Sequence, residues 1–404
     1  MSKPIAAFEY AKLGEHADIL AGPPFNSAAF TDKPEDIPLV KGENVQQGYV
    51  DWNIAKRWPA TDTETYKRFK LVPGDVVVAM DRPWVTAGLK WAYIKRNDPS
   101  ALLVQRVARL RGKKTLDQGF LRCLISSAYF SNYIQPIVTG VNVPHISGKQ
   151  IGDFKIPVLP LATQQKIAAT LSTYDDLIAN NQRRITLLER MAEDIYREWF
   201  VRLRFPGHES TPREKGIPRG WRIRGLGDIL ELCYGKALKD EVRVPGIVPV
   251  YGSGGVVGTH NASLVDGPGI VVGRKGNVGS VFWSDNAFFP IDTAYFVRSG
   301  TSLHYLFFLL QSMNFINNDS AVPGLSRQQA YSNKLLFPPD ELIKQFSVKA
   351  ESLFKMKQIL SVQVELLKAT RDALLPRLIS GKLSVDALDI RFPPGMLSGG
   401  KVNR

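Results

Sequence analysis

The histidines and cysteines, the residues best suited to catalysis or metal binding, are scattered along the chain. There are five histidines, none at the spacing of metal ligands: His16, His145, His208, His260 and His304. Cys123 and Cys233 are predicted to be reduced thiols, because no secretory signal precedes them. The chain lacks the (Asn/Asp)-Pro-Pro-(Tyr/Phe) loop with which DNA methyltransferases grip a flipped base, and it lacks the Gly-x-x-x-x-Gly-Lys-Ser/Thr phosphate loop. The sequence therefore predicts a protein without a catalytic site.

Residues that could read DNA lie in loops rich in Gly, Pro and Ser. Arg and Lys pair with guanine and Asn and Gln with adenine, while Ser, Thr, Lys and Arg also hold phosphates. The candidates in the second half of the chain are Tyr251, Ser253, His260, Arg274, Lys275, Asn277, Ser326, Arg327 and Gln328. The candidates in the first half are Arg82, Trp84, Asn142, His145, Ser147 and Lys149. Each alone is more often a turn residue, so the hypothesis rests on the set.

The charge of the chain agrees with a polyanionic partner. The formal net charge is +14, and Lys and Arg outnumber Asp and Glu in each of the segments 1–158, 159–207, 208–337 and 338–404, without forming a basic tail. A folded basic surface on a nucleic-acid backbone would have this distribution, and so would a surface that only aids solubility. Apolar runs are too short to span a bilayer and no leader pattern is present, so we expect a cytoplasmic protein without membrane contact.

Short strands and single helices would position these loops. Apolar runs bounded by Gly, Pro or Ser at 75–79, 91–94, 269–273 and 280–283 predict strands. One helix is expected in each half, at 116–135 and 302–314. Each half of the chain therefore predicts a mixed α/β domain.

The chain contains an internal repeat with an offset of 179 residues. Without a gap, Val143-Pro144-His145-Ile146-Ser147 falls on Val322-Pro323-Gly324-Leu325-Ser326, and the match continues to Trp199 on Leu378. A match of this length indicates a duplicated domain. The distances from the domain openings at Leu13 and Leu226 to the repeat differ, so the domains are expected to have diverged while the repeat kept its length.

The second part of each repeat has the pattern of a long helix. Apolar residues step alternately by four and three from Ile167 and from Phe346, which is typical of a coiled coil. The two helices are expected to pack on each other antiparallel. Asn181, Lys357 and Arg371 occupy seam positions. Either they fix the register of the pair, or the seam frays and they extend to solvent.

Several segments resemble type I restriction–modification specificity subunits. Residues 158–168 (VLPLATQQKIA) and 185–189 (ITLLE) are similar to the central conserved region of that family. Residues 247–253 and 266–279 resemble the core of its target-recognition domains, and 377–383 the end of its distal conserved region. The resemblance covers nearly the whole chain in the family's order of domain, helix, domain, helix.

Two departures from the family pattern concern the second helix and the first domain. Ile343 stands where the repeat and the family would place a Gln opposite Gln164. The first domain has Ala79-Met80-Asp81-Arg82-Pro83 where the second has Arg-Lys-Gly, so contacts do not transfer from one domain to the other.

The resemblance implies a non-catalytic subunit that binds double-stranded DNA. Each domain would read one half of a bipartite, asymmetric target, and the helices would set the gap and bind two methyltransferase subunits. The partners, including the restriction motor subunits, would supply adenine-N6 methylation and ATP-dependent cleavage with S-adenosylmethionine, ATP and Mg²⁺; the chain itself would need no cofactor and no metal. The alternatives are the recognition chain of a type II system and a coiled-coil scaffold that binds protein alone.

The predicted fold is α/β, with two mixed target-recognition domains separated by two long antiparallel coiled-coil helices in a pseudo-two-fold internal repeat. The predicted segments are domain 1 at 1–158, a central spacer helix at 159–204, domain 2 at 205–337 and a distal spacer helix at 338–383. The Gly/Pro-rich tail, 384–404, is a candidate for disorder.

Overall fold

The computed structural model describes residues 9–62, 64–85, 88–137, 144–313, 315, 324–390 and 392. The chain forms two compact units, one made of Met1–Ala179 with Val364–Arg404 and one made of Asn180–Gln363. Each unit contains one mixed α/β domain and a part of both long helices, which confirms the predicted fold class. The predicted segment boundaries remain predictions, because the units divide each long helix between them.

Twelve strands and five α-helices begin in the described part of the first unit. The strands are β1 (Tyr10–Lys12), β2 (Ala17–Ala21), β3 (Ile37–Val40), β4 (Gln47–Gly48), β5 (Arg57–Trp58), β6 (Val76–Ala79), β7 (Trp84–Val85), β8 (Gly88–Leu89), β9 (Trp91–Tyr93), β10 (Leu102–Leu103), β11 (Val107–Gly112) and β12 (Lys155–Pro157). The helices are α1 (Leu13–His16), α2 (Gln118–Ile125), α3 (Ala128–Ile134), α4 (Gly148–Gly152) and the long helix α5 (Leu161–Tyr196).

The main sheet of the first domain has the order β2-β11-β6-β9-β4. Strand β6 is buried along its whole length, as its run of three valines and an alanine predicts. Helices α2 and α3 cover the sheet with Phe120 and Phe130, and this core includes Ile167 of α5 and Leu378 near the end of the second long helix. The core therefore fastens the domain to both helix segments of its unit.

Eleven strands and three α-helices begin in the described part of the second unit. The strands are β13 (Arg213–Glu214), β14 (Ile217–Pro218), β15 (Arg222–Gly225), β16 (Glu231–Tyr234), β17 (Val248–Gly252), β18 (Gly255–His260), β19 (Gly269–Gly273), β20 (Val281–Ser284), β21 (Phe289–Pro290), β22 (Ala294–Arg298) and β23 (Lys334–Phe337). The helices are α6 (Leu303–Ser312), α7 (Arg327–Tyr331) and the long helix α8 (Asp340–Ile379). The main sheet of the second domain has the order β16-β22-β19-β20.

The repeat predicted from the sequence is present in three dimensions. Strand β12 pairs antiparallel with β1, and 179 residues later β23 pairs antiparallel with β15. Helix α4 begins with a capping box formed by Ser147 and Gln150, and α7 begins with the same box formed by Ser326 and Gln329. A capping box satisfies two backbone amides that a helix start would otherwise leave unpaired. The duplication therefore extends to individual hydrogen bonds.

The polar residues in the helix seam are paired within each unit, which supports their role in fixing register. In the second unit, the Asn181 amide donates to Gln363 at 3.3 Å and Lys357 forms an ion pair with Glu189 at 3.1 Å. Glu189 follows Asn181 along α5, whereas its partner Lys357 precedes Gln363 along α8, so the two segments run antiparallel. In the first unit, Arg371 of α8 donates to Asp175 of α5 at 2.8 Å. A change of register would separate these partners.

The first residues of the tail are packed, contrary to the predicted disorder. Val385 is buried, and Asp386 accepts a hydrogen bond from Thr163 Oγ1 at 2.7 Å. Residues 384–390 are thus held by contacts within the first unit, and the remaining tail apart from Phe392 lies outside the described residues. In the described part of the chain, no helix combines the length and apolar character needed to cross a membrane.

Candidate nucleic-acid interface

Each domain carries its candidate reading loop at the same place, the end of a central strand. In the second domain β19 ends at Gly273, and the Leu325 amide donates to the Arg274 carbonyl at 2.8 Å. In the first domain β6 ends at Ala79, and the Ile146 amide donates to the Met80 carbonyl at 2.8 Å. Positions 146 and 325 are equivalent in the repeat. Both domains therefore place the loop after the strand beside the loop before the short helix.

In the second domain this strand end carries two arginines stacked on one tyrosine. Tyr234, the last residue of β16, is paired in the sheet with Tyr295 of β22, and its side chain is about half exposed. The Arg274 guanidinium lies 4.9 Å from the centre of the Tyr234 ring, and the Arg327 guanidinium lies 4.2 Å from it. We call Tyr234, Arg274 and Arg327 the arginine–tyrosine cluster. Stacking on an aromatic face holds each guanidinium plane in a defined orientation.

The arginine–tyrosine cluster is electropositive. Among the described residues, neither guanidinium forms an ion pair with a carboxylate. Arg274 Nη1 donates to the Asp292 carbonyl at 3.0 Å, whereas Arg327 Nε is buried without a hydrogen-bond partner. Burial, together with the neighbouring Tyr234 hydroxyl, raises the pKa of Tyr295, whose hydroxyl donates to the Leu325 carbonyl. The surface thus offers charged donors without a built-in anion.

The loop after β19 is tight and presents Lys275 and Asn277 to solvent. A Cβ atom on Gly273 would lie closer than 3.0 Å to the Asn277 carbonyl oxygen, so only glycine fits there. Gly276 has a φ of 79°, a left-handed conformation that glycine adopts without strain. The Ser280 hydroxyl donates to the Asn277 carbonyl at 2.8 Å. The loop therefore has a defined shape, and both side chains remain accessible as predicted.

Two predicted contacts of the second domain have structural roles. Tyr251 is buried in an apolar cluster with Val271 and Phe288, so its side chain contributes to the core. Its loop neighbour Ser253 suggests a surface position, but Tyr251 lies within β17 and its side chain is buried in the core. The Ser326 hydroxyl caps α7.

The remaining candidates of this domain differ in how free their side chains are. His260 Nδ1 accepts a hydrogen bond from the Val244 amide at 3.1 Å, which occupies one ring nitrogen. The Ser253 carbonyl accepts from the Ser280 hydroxyl. Gln328 lies exposed on the first turn of α7. Their role in DNA binding stays a prediction.

The first domain has a different cluster at the equivalent strand end. Asp81 accepts from Arg106 Nη1 at 2.6 Å and also contacts His145 Nδ1. Arg82 is exposed with a φ of 43°, and its amide donates to the Pro144 carbonyl at 2.7 Å. We call Asp81, Arg106 and His145 the aspartate cluster. The Asp81 carboxylate contacts two basic side chains. The aspartate cluster therefore combines negative and positive groups, whereas the arginine–tyrosine cluster contains no carboxylate.

A cleft of about 640 Å³ adjoins the aspartate cluster. Its lining residues include four basic side chains, Lys41, Arg82, Lys90 and Arg106. The Lys90 ammonium donates to the Gly42 carbonyl, and burial lowers the pKa of Lys90. A phosphate or a base edge at this cleft would meet mostly positive charge.

The other candidates of the first domain are a mixture of packing, capping and surface residues. Trp84 packs half-buried against the domain core, and the Ser147 hydroxyl caps α4. Lys149 is exposed and forms an ion pair with Asp153 at 2.9 Å, so it would have to exchange that partner for a phosphate. Asn142 lies outside the described residues.

The sequence-based candidates do not include Tyr234, Asp81 and Arg106, which the structure places in the two clusters. Tyr234 and Arg106 are brought to the site by strand pairing from positions far from the predicted loops, and no local pattern marks them. Asp81 directly precedes Arg82 and could have been selected as its neighbour.

The described residues contain no group of His, Cys, Asp and Glu arranged to hold a metal ion. Burial raises the pKa of the Cys123 thiol to about 12, so this cysteine is a poor nucleophile at neutral pH. What the site offers is recognition by hydrogen bonds, charge and stacking.

Comparison with known proteins agrees with this picture. The profile of the type I restriction modification DNA specificity domain matches residues 6–190 and 218–365, and the chain belongs to this family. The type I restriction enzyme MjaIX specificity subunit of Methanocaldococcus jannaschii is 25% identical over 380 residues, covering 76% of this chain and 88% of that protein. The EcoAI specificity subunit of Escherichia coli is 33% identical over 172 residues, covering 42% of this chain and 28% of that protein.

A solved structure shares the fold. The S subunit of a type I restriction–modification system from M. genitalium superposes with a TM-score of 0.56 at 16% identity, covering 94% of this chain and 98% of that one. The similarity extends over both domains and both long helices.

Proposed function

We propose that this chain is the DNA sequence-specificity subunit of a type I restriction–modification complex, and that each domain reads one half of a bipartite target. The observation that carries the proposal is the repeated strand end, where one backbone arrangement presents two different sets of polar side chains. The arginine–tyrosine cluster stands in the second domain and the aspartate cluster in the first. Two related surfaces with different chemistry suit two different base sequences.

The same comparison supports an asymmetric target. A protein with two identical reading surfaces would recognise the same sequence twice. Here the second domain places Arg274 and Lys275 after the strand, where the first places Met80 and Asp81. Positive charge without a local anion favours guanine or phosphate oxygens, whereas an engaged carboxylate with His145 offers another donor and acceptor pattern. The two half-sites should therefore differ.

The long helices are proposed to set the gap between half-sites and to bind two methyltransferase subunits. Besides the seam that joins them, both helices expose large apolar side chains in the second unit. Leu187 and Met191 lie four residues apart on α5, and Val348, Ile359 and Val362 lie eleven and three residues apart on α8. These spacings place each group on one face of its helix, which suits a partner helix.

In the proposed complex the partner subunits carry out all chemical steps. Methyltransferase subunits would transfer the methyl group to adenine N6 from S-adenosylmethionine, and restriction motor subunits would cleave DNA with ATP and Mg²⁺. This chain would contribute recognition of double-stranded DNA and the alignment of both activities with the target. The arrangement of Arg, Lys, Asn and Tyr side chains described above supports binding and orientation.

Methylation mapping after co-expression tests the proposal. The chain is produced with its methyltransferase subunit in a host that lacks DNA methylation, and modified adenines are located by long-read sequencing. We expect one motif of two short, dissimilar blocks separated by a gap of constant length. Cells that express the methyltransferase alone serve as the control and should show no such motif. A methylated motif that is continuous, or no motif at all, would contradict the proposal.

A further inference from the structure

We infer that Arg327 reads a guanine in the half-site of the second domain, and that Tyr234 and Arg274 position its guanidinium. This inference rests on the proposed function, since it assigns one base contact within the proposed target. The geometry of Arg327 points to a base edge and not to a phosphate. Three independent features of the arginine–tyrosine cluster carry it.

The first feature is the fixed orientation of the guanidinium plane. Arg327 lies over the Tyr234 ring at 4.2 Å, and Arg274 lies over the same ring at 4.9 Å. Arg274 is itself held, because its Nη1 donates to the Asp292 carbonyl. A bidentate contact with guanine O6 and N7 requires a planar donor pair in one orientation, whereas a phosphate accepts donors from many directions. Base reading therefore requires the fixed orientation that stacking provides, whereas phosphate binding does not.

The second feature is the incomplete hydrogen bonding of Arg327. Its Nε is buried without a partner, and in the described part of the chain no carboxylate pairs with its guanidinium. Because the Arg327 guanidinium makes no ion pair among the described residues, contact with a ligand would break none. Lys149, one position further along in the first domain's repeat, differs in this respect because it is paired with Asp153.

The third feature is the replacement of the whole cluster in the first domain. Sheet pairing makes the equivalences clear: Ala79 pairs with Val107 as Gly273 pairs with Ala294, and Ala21 pairs with Ala108 as Tyr234 pairs with Tyr295. The residues equivalent to Tyr234, Tyr295, Arg274 and Arg327 are Ala21, Ala108, Met80 and Gly148.

This replacement separates base reading from phosphate binding. The capping boxes and the hydrogen bonds that hold the strand ends are kept in both domains. Phosphates are the same at every base pair, so residues that contact them have no reason to differ between two related domains. Residues that read bases must differ when the half-sites differ. Arg327 and its supporting residues differ between the two domains, as residues that read bases would.

The test measures binding of the complex with its methyltransferase subunit to duplexes that carry the mapped motif. Each guanine of the motif is replaced in turn by 7-deazaguanine, which lacks the N7 acceptor but still pairs with cytosine. We expect one such duplex to bind the wild-type complex about 10- to 100-fold more weakly than the unmodified duplex, the range for losing one hydrogen bond to a charged group. For Arg327→Ala, which removes the guanidinium donors, that duplex and the unmodified duplex should bind equally.

Two further variants separate positioning from folding. Tyr234→Phe keeps the ring and should retain the wild-type response to 7-deazaguanine, whereas Tyr234→Ala should lose most of it. Arg298→Ala is the matched control, because Arg298 is exposed, stacks on Phe296 at 5.3 Å and lies at the opposite end of the strand that carries Tyr295. It should bind all duplexes like the wild type.

Some outcomes would overturn the inference alone. If Arg327→Ala weakens binding to every duplex by the same factor and lowers the salt dependence, Arg327 is a phosphate contact. If no 7-deazaguanine duplex weakens wild-type binding, or if the mapped motif has no guanine, Arg327 does not read guanine. If the wild-type complex methylates no bipartite motif, the proposed function itself is wrong and the inference falls with it.

Discussion

Replacing Gly273 by Ala is expected to abolish recognition of one half of the target and to leave the other half readable. The new Cβ would lie closer than 3.0 Å to the Asn277 carbonyl oxygen and to the Ser280 hydroxyl oxygen, in a loop whose shape depends on those same groups. The backbone must shift to relieve the clash, and the shift displaces Arg274 and Lys275. Such overpacking typically costs about 1–3 kcal/mol of stability.

The measurement is the methylated motif together with a thermal melt of the complex. Gly300→Ala is the matched control in the same domain, because a Cβ at Gly300 meets nothing within 4 Å. It should leave both the motif and the melting temperature unchanged. An unaltered motif in Gly273→Ala would show that this loop does not take part in recognition.

Replacing Phe346 by Ala is expected to be the most destabilising single truncation in the second unit. Phe346 is fully buried, and its ring lies against Tyr196 at 6.0 Å, Phe200 at 5.3 Å and Phe308 at 6.1 Å. These rings belong to the end of α5, the turn after it and α6, so Phe346 joins both long helices to the domain core. Removing a buried Phe side chain costs about 3–5 kcal/mol.

Urea unfolding of the purified chain measures this effect, with hydrogen exchange to locate it. Protection should fall in the second unit at lower urea concentration than in the wild type. Val348→Ala on the same helix is the control, since its side chain is 66% exposed and its truncation should change stability by less than about 0.5 kcal/mol. A loss below about 1 kcal/mol for Phe346→Ala would mean that this aromatic core does not hold the unit together.

The long-range plan of the molecule could be predicted because it is repeated in the sequence without a gap. The offset of 179 carries the helix register, so the seam residues Ile167 and Phe346 could be named in advance, and both are buried. The polar seam residues Asn181, Lys357 and Arg371 could be located but not explained. Their partners lie on the other helix, and only the register of packing identifies them.

The reading surface could be predicted only in part. Residue type and loop position selected Arg274 and Arg327, but the same rule selected Tyr251, which strand direction turns into the core. The rule also selected Ser147 and Ser326, although their spacing to Gln150 and Gln329 is that of a capping box. Recognising that spacing would have assigned both serines to helix starts.

The arginine–tyrosine cluster itself could not be found from sequence. Tyr234, Arg274 and Arg327 are far apart along the chain and meet because β16 pairs with β22 and the loop before α7 bonds to the end of β19. Neither pairing is marked by a local pattern. A juxtaposition of this kind follows from sheet order, and sheet order is the property that short apolar runs specify least.

The central claim is that two related domains read two halves of one target independently, and paired variants test it most directly. Asp81→Asn alters the aspartate cluster of the first domain, and Arg327→Ala alters the arginine–tyrosine cluster of the second. Methylated motifs are mapped for both variants and the wild type under identical co-expression. We predict that each variant relaxes or changes bases in one half only, that the two variants affect opposite halves, and that the gap stays constant. Changes in the same half, or in both halves at once, would contradict the account.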